Sequence, residues 1–156
     1  MKEYKIIKID SQNYNMFDDM IFWRMNRRER TNVEKAEAFN NNFDSSYLAL
    51  SNPNLFVYAA LETGRLVGWI SIVYMPKVGK LNGLGHLYID ELWVAPLYRV
   101  QGIANKLMEK ADELLNTTAS AGIRLYVNTD NSNAKGLYEK CGFSESGIAY
   151  FMEKDK

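Results

Sequence analysis

Residues 94–106 read VAPLYRVQGIANK, from Val94 to Lys106. An apolar strand ends here, Pro96 turns the chain, and a small glycine-bearing turn opens a helix. Inside the stretch lies Arg99-Val100-Gln101-Gly102-Ile103-Ala104. The first N–H groups of a helix have no intrahelical acceptor, and the helix dipole points its positive end the same way. A strand, a glycine turn and a helix in that order make a cradle for an oxygen-rich anion such as phosphate. Gly102 and Ala104 are small enough for a ligand to approach the backbone closely. A tight turn without a ligand would look the same from this stretch alone. The Gly-x-Gly-x-x-Gly of a Rossmann unit and the Gly-Lys-Ser/Thr of a P-loop are both absent.

Working outward, the 156 residues fit one domain, with 47% hydrophobic and 13% aromatic residues to fill a core. Lys+Arg and Asp+Glu are both 19, so the chain is neutral and lacks the basic excess of a nucleic-acid binder. Cys141 is the only cysteine, which excludes an intramolecular disulfide framework. Beside Gly142 and without a histidine partner, it reads as a buried structural thiol. No cluster of His, Cys and carboxylates suggests a metal. The longest apolar run, residues 66–75, is interrupted by Gly68 and Ser71 and falls short of the ~20 residues that cross a bilayer. The expected setting is a soluble cytoplasmic protein with no membrane partner.

The chain order follows from periodicity. Residues 4–9 read as a strand. Met16, Phe17, Met20, Ile21 and Trp23 recur at helical spacing over 13–25. Residues 24–30 hold four arginines and read as a solvated loop. Thr31 or Asn32 can cap a second helix from Val33. Strands at 55–61 and 66–74 flank a turn at 62–65. The glycine-rich segment 76–85 is an exposed connection, with His86 an exposed bystander beside it. A strand over 86–94 carries two adjacent carboxylates, Asp90 and Glu91. A helix over 101–115 lines up Ile103, Leu107, Met108, Ala111, Leu114 and Leu115 on one face. A strand at 123–127, a helix at 133–141 capped by Gly142, and final strands at Phe143 and 150–152 complete the order β-αα-βββ-α-β-α-β. This is an α/β (α+β) fold with a mixed, mostly antiparallel central sheet and helices on both faces.

A second motif lies about thirty residues after the first: Asn131-Ser132-Asn133-Ala134, then Tyr138, then Gly142-Phe143. The two together, with Val94, Pro96, Arg99, Gly102 and Ala104 in register, resemble the GNAT family of N-acetyltransferases. The resemblance covers residues 55–152 and implies an acyl-CoA N-acyltransferase-like fold. It further implies an enzyme that moves an acetyl group from acetyl-CoA to a primary amine by direct attack in a ternary complex. By the same resemblance, Leu92, Trp93 and Val94 pair with the pantetheine arm. Arg99, Val100, Gln101, Gly102, Ile103 and Ala104 cradle the pyrophosphate, and Asn131 hydrogen-bonds the cofactor.

Tyr138 is the candidate acid. Expelling a thiolate of pKa near ~8.5 suits a phenol of pKa near ~10, which stays neutral until needed. A primary amine of pKa near ~10.4 arrives protonated, so a base is required. Asp90 ranks first and Glu91 second, directly or through a water chain. Simple alternation puts them on opposite faces of the strand, but family members bulge there, which can redirect a side chain. Between the first helices, Phe22, Trp23 and the arginines are expected to wall the acceptor pocket and to disfavour a polycation. The acceptor itself (a small amine, an amino acid, an antibiotic or a protein N-terminus) and the use of longer acyl-CoAs stay open. A homodimer is compatible with the family. A non-catalytic acyl-CoA sensor is the alternative from another class.

Overall fold

The computed structural model describes residues 2–156. A first compact unit runs to Tyr126 and a second from Val127 to Lys156. The first holds a five-stranded sheet in the order β1-β2-β3-β4-β5. Its strands are β1 (Lys5–Lys8), β2 (Leu55–Glu62), β3 (Arg65–Met75), β4 (Gly85–Val94) and β5 (Ser120–Leu125). The first four pair antiparallel and β5 joins β4 in parallel. The β2–β3 hairpin turns through Thr63 (φ 44°) and Gly64 (φ 83°), the left-handed pair that matches strand twist.

Helices α1 (Tyr14–Asn26), α2 (Asn32–Ala38) and α3 (Asp44–Leu50) lie between β1 and β2, and α4 (Ile103–Thr117) follows β4. Met20 of α1 packs with Ile9, Val57, Ala59, Leu66 and Trp69. Lys110 of α4 stands over the Tyr58 ring, and Tyr58 alternates with Val57 and Ala59. Alternation along β2 therefore puts α1 and α4 on opposite faces of the sheet. The α4 stripe of Ile103, Leu107, Met108, Ala111 and Leu114 is buried. Thr31, not Asn32, caps α2: its hydroxyl accepts from Glu34 N and the Glu34 carboxylate takes Thr31 N–H, a reciprocal capping box.

Three expectations are corrected. The region after α2 contains a third helix, α3, so the order begins β-ααα. No strand follows α5 (Ser132–Lys140) among the described residues. Phe143 spends its N–H on the end of α5 instead, and Ile148, Tyr150, Phe151 and Met152 are 79–97% exposed with no ladder to join. A strand needs a partner edge, and the Ser-Glu-Ser-Gly at 144–147 breaks the pattern before one forms. His86 is 4% exposed, not on the surface, because β4 starts at Gly85 and pairs His86 with Met75.

Candidate active site

The site begins with an irregularity in β4. Ser71 pairs with Glu91, but the next residue of β3, Ile72, pairs with Ile89. Asp90 is the extra residue of a β-bulge and has no cross-strand partner. The bulge that the resemblance implied is present, and it overrides the simple alternation that would set Asp90 and Glu91 on opposite faces. Beyond it Glu91 and Trp93 share a face, since Trp93 pairs with Trp69 and Trp69 belongs to the α1-side core.

The two carboxylates differ in company. Asp90 is exposed. Burial, and then the Asp90 carboxylate, raise the Tyr88 phenol above its usual value. Glu91 accepts a hydrogen bond from Arg24 Nη1 at 2.9 Å. The Arg24 guanidinium lies 5.1 Å from the centroid of the Trp69 ring.

Past the bulge one edge of β4 is free. Its ladder with β5 stops at Ile89, opposite Leu125, while the ladder with β3 continues to Val94. Leu92 and Val94 thus turn toward that side backbone groups that no strand of the described residues takes up, while Trp93 faces β3. An extended ligand carrying amides can occupy such an edge as a further strand would. Trp93 packs at 5.1 Å from Trp69 and 6.0 Å from Trp23, so this edge rests on an aromatic base.

The chain then turns through Pro96–Tyr98 into α4. Arg99 Nε donates to Val94 O at 3.0 Å, folding the arginine back over the strand end. Val100 has φ 58° and Gly102 φ 83°. Gly102 is the N-cap of α4, and no side-chain acceptor caps the helix. A Cβ built on Gly102 meets nothing within 4 Å, so the space before the first turn is open. A glycine cap with open space in front leaves the first-turn donors to a ligand, and these residues fit an acyl-CoA pyrophosphate. Gln101 is held on the sheet side, accepting from the Tyr4 hydroxyl and donating to Leu97 O at 2.9 Å.

A polar lattice braces the turn. Tyr98, 6% exposed, donates to Glu62 at 2.9 Å and receives Arg65, which also pairs with Glu29 at 2.8 Å. The Tyr98 hydroxyl, followed by Lys2, holds the Glu62 carboxyl below its usual range. Nothing local in the sequence signals this lattice, because Tyr98, Glu29 and the Glu62–Arg65 hairpin pair are dozens of residues apart.

The expected acceptor wall is partly packed away. Trp23 is 9% exposed between Trp93 and Tyr98. Phe22 is half-buried, with the guanidinium carbons of Arg28 and Arg30 at 5.1 and 4.7 Å from its ring centroid. Arg28 pairs with Glu34, and Arg30 with Asp18 and Asp19. Arg28 at the surface and Arg30 in a part-buried position thus spend their charge on carboxylates of the protein. A cavity of about 60 Å³ beside Trp23, Glu29, Arg30 and Arg65 has room for water only.

In the second unit, Asn131 Oδ1 accepts from Ala134 N at 3.1 Å and caps α5. At the other end Gly142 N bonds Glu139 O, and Phe143 N bonds Tyr138 O, both at 3.0 Å. This is a Schellman motif with Tyr138 at C3 and Phe143 at C″, their rings 6.1 Å apart. Burial pushes the Tyr138 phenol above its usual value. Cys141 is half-exposed at the C-cap, not buried, since the helix ends on it.

Residues 18–143 match the Acetyltransferase (GNAT) family. The chain belongs to that family. It is 32% identical over 111 residues to the catalytic subunit of the N-terminal acetyltransferase B complex of Arabidopsis thaliana, covering 69% of this chain and 59% of that protein. It is 37% identical over 68 residues to a streptothricin acetyltransferase of Escherichia coli, covering 44% and 39%. The chain thus spans about four- to six-tenths of these relatives' length. Among solved structures, an aminoglycoside acetyltransferase from an uncultured soil metagenomic sample, in complex with trehalose, superposes with a TM-score of 0.79 at 17% identity, covering 98% of this chain and 97% of that one. Its likeness is one of fold. Among the described residues no group of three or more His, Cys, Asp or Glu could hold a metal, and no helix is long and apolar enough to cross a membrane.

Proposed function

We propose that this GNAT-family chain is an acetyl-CoA-dependent N-acetyltransferase acting on a primary amine by direct transfer. The observation that carries the reading is the end of β4. A strand edge left open from Leu92 to Val94 runs into a helix whose only cap is Gly102. An amide-bearing arm and a pyrophosphate need those two features in that order.

In this reading Asp90 takes one proton from the acceptor's ammonium, directly or through water. The freed nitrogen lone pair attacks the acetyl carbonyl carbon, the new C–N bond forms, and the C–S bond breaks. Tyr138 gives its hydroxyl proton to the departing sulfur, and the second proton, shed by the nitrogen made cationic on attack, returns to the tyrosinate directly or through water, leaving a neutral amide and the CoA thiol. The raised pKa of Tyr138 supports this role, because the phenol is protonated when the sulfur leaves. The Asn131 carbonyl oxygen serves the helix cap, which leaves its Nδ2 as the group available to a cofactor. A cytoplasmic location and a small-molecule or peptide amine as partner belong to the same reading.

The relatives acetylate different things by name, so a mixed panel of amines is the test. The purified protein is given acetyl-CoA with peptides bearing free N-termini, amino acids, simple alkylamines, streptothricin and aminoglycosides, and free CoA thiol is measured. Thiol release that depends on one amine and yields its acetamide supports the reading. Tight CoA binding with no turnover on any of them overturns it in favour of a sensor.

A further inference from the structure

Asp90 and Glu91 are neighbours in the chain, yet among the described residues only Glu91 has a cationic partner. Arg24 makes two side-chain contacts while its side chain stays 39% exposed and that of Glu91 43% exposed. Arg24 sits in the last turn of α1, where the helix dipole favours a cation. Its guanidinium lies over the buried Trp69 ring, and its Nη1 donates to Glu91 across 67 residues of sequence. Arg28 and Arg30 pair instead with carboxylates of α1 and α2 nearby. Without Arg24 the bulge would carry two negative charges side by side. With it, the group Asp90, Glu91 and Arg24 carries one, and Tyr88, the other titratable side chain interacting with Asp90, is neutral.

We infer that Arg24 is a positioning residue that divides the work of the two carboxylates. It pairs with Glu91 and leaves Asp90 as the single anion that meets the acceptor. The site is then matched to an amine carrying one positive charge near the reacting nitrogen and disfavours a diamine. This rests on the N-acetyltransferase reading above and names the acceptor's charge class.

The test compares paired acceptors that differ by one ammonium: butylamine with 1,4-diaminobutane, and alanyl-glycine amide with alanyl-lysine amide. The readout is the ratio of kcat/KM for the dication to that for the monocation. Arg24→Gln raises the ratio roughly five- to tenfold, mostly through KM of the dication, as one extra unit charge a few ångströms away demands. Arg24→Lys stays near wild type. Glu91→Gln lowers the ratio, and the double variant Arg24→Gln/Glu91→Gln returns it toward wild type, because the net charge is again one. A merely structural role for Arg24 would slow both acceptors alike and leave the ratio unmoved. Turnover with an unmoved ratio in Arg24→Gln, or no return in the double variant, overturns the assignment alone. No turnover by wild type on either pair, or on any other amine, overturns the enzyme reading with it. Glu91→Gln breaks the pair from the sheet side and serves if the helix variant fails to fold.

Discussion

Phe143 donates its backbone N–H to the carbonyl of Tyr138 at 3.0 Å while the two rings meet edge to face at 6.1 Å. Tyr138 therefore has a structural task at the end of α5 as well as its proposed chemical one, and the two can be separated. Tyr138→Phe keeps the ring and the backbone bond and removes only the hydroxyl. Thermal unfolding should move little, while kcat falls by about 10²-fold or more with KM for acetyl-CoA nearly constant. Tyr138→Ala should lower both stability and kcat. A Phe variant that turns over at the wild-type rate removes Tyr138 as the acid.

Gly102 is held at φ 83°, where an L side chain is strained by roughly 1–2 kcal/mol although the space around it is open. Gly102→Ala should destabilise by about that amount in urea titration. Because the same residue opens the helix end that receives the pyrophosphate, KM for acetyl-CoA should rise several-fold, with a smaller change in kcat. An unchanged KM would separate the turn from cofactor binding.

His86 is buried with no hydrogen-bond partner for Nδ1 among the described residues, and burial, then Arg124 and Lys77, lower its pKa. The unfolded chain binds this proton at a higher pH than the folded one does. The stability linked to His86 is thus full above the ordinary value of ~6.5 and is lost as pH falls through the lowered folded value. Unfolding free energy measured from pH 7 to pH 5 should decline in the wild type. The decline should flatten in His86→Gln; an identical slope in the variant would assign the effect elsewhere.

Glu34 has its carboxyl pulled down to about 2, first by Arg28 and then by the Thr31 N–H of the capping box. Carbon-detected NMR should show a midpoint near that value, and Arg28→Gln should move it back toward the ordinary carboxylate range. Since the folded pKa is depressed, the stability linked to Glu34 is present above the unfolded value of ~4.3 and lost as pH falls through about 2.

What the sequence shows best is what short-range rules govern. The strand–glycine–helix run at 94–106, the α1 stripe and the α5 cap all depend on neighbours within a few positions, and their bounds fall within a residue or two of the structure. The α3 helix escapes notice because it has no buried residue and no side-chain cap. His86 misleads because Gly85 looks like loop. In fact a Cβ at Gly85 would stand 2.5 Å from Met75 O, so the glycine marks a close crossing of two strands. The exposed tail after Phe143 looks like strand because its residues suit one, and only the sheet's edges decide whether they join. The Arg24–Glu91 pair and the Tyr98 lattice join residues far apart in the chain, and no local pattern announces them.

The early stop of the β4–β5 ladder at Ile89 divides one strand into two mechanical regimes. Amides of β4 before the bulge are locked between neighbours on both sides. Those after it that point toward β5 exchange their hydrogens with solvent unless a ligand shields them. Deuterium uptake at Leu92 and Val94 becomes a direct gauge of occupancy, since a bound acyl-CoA arm would slow it while leaving residues 86–89 untouched.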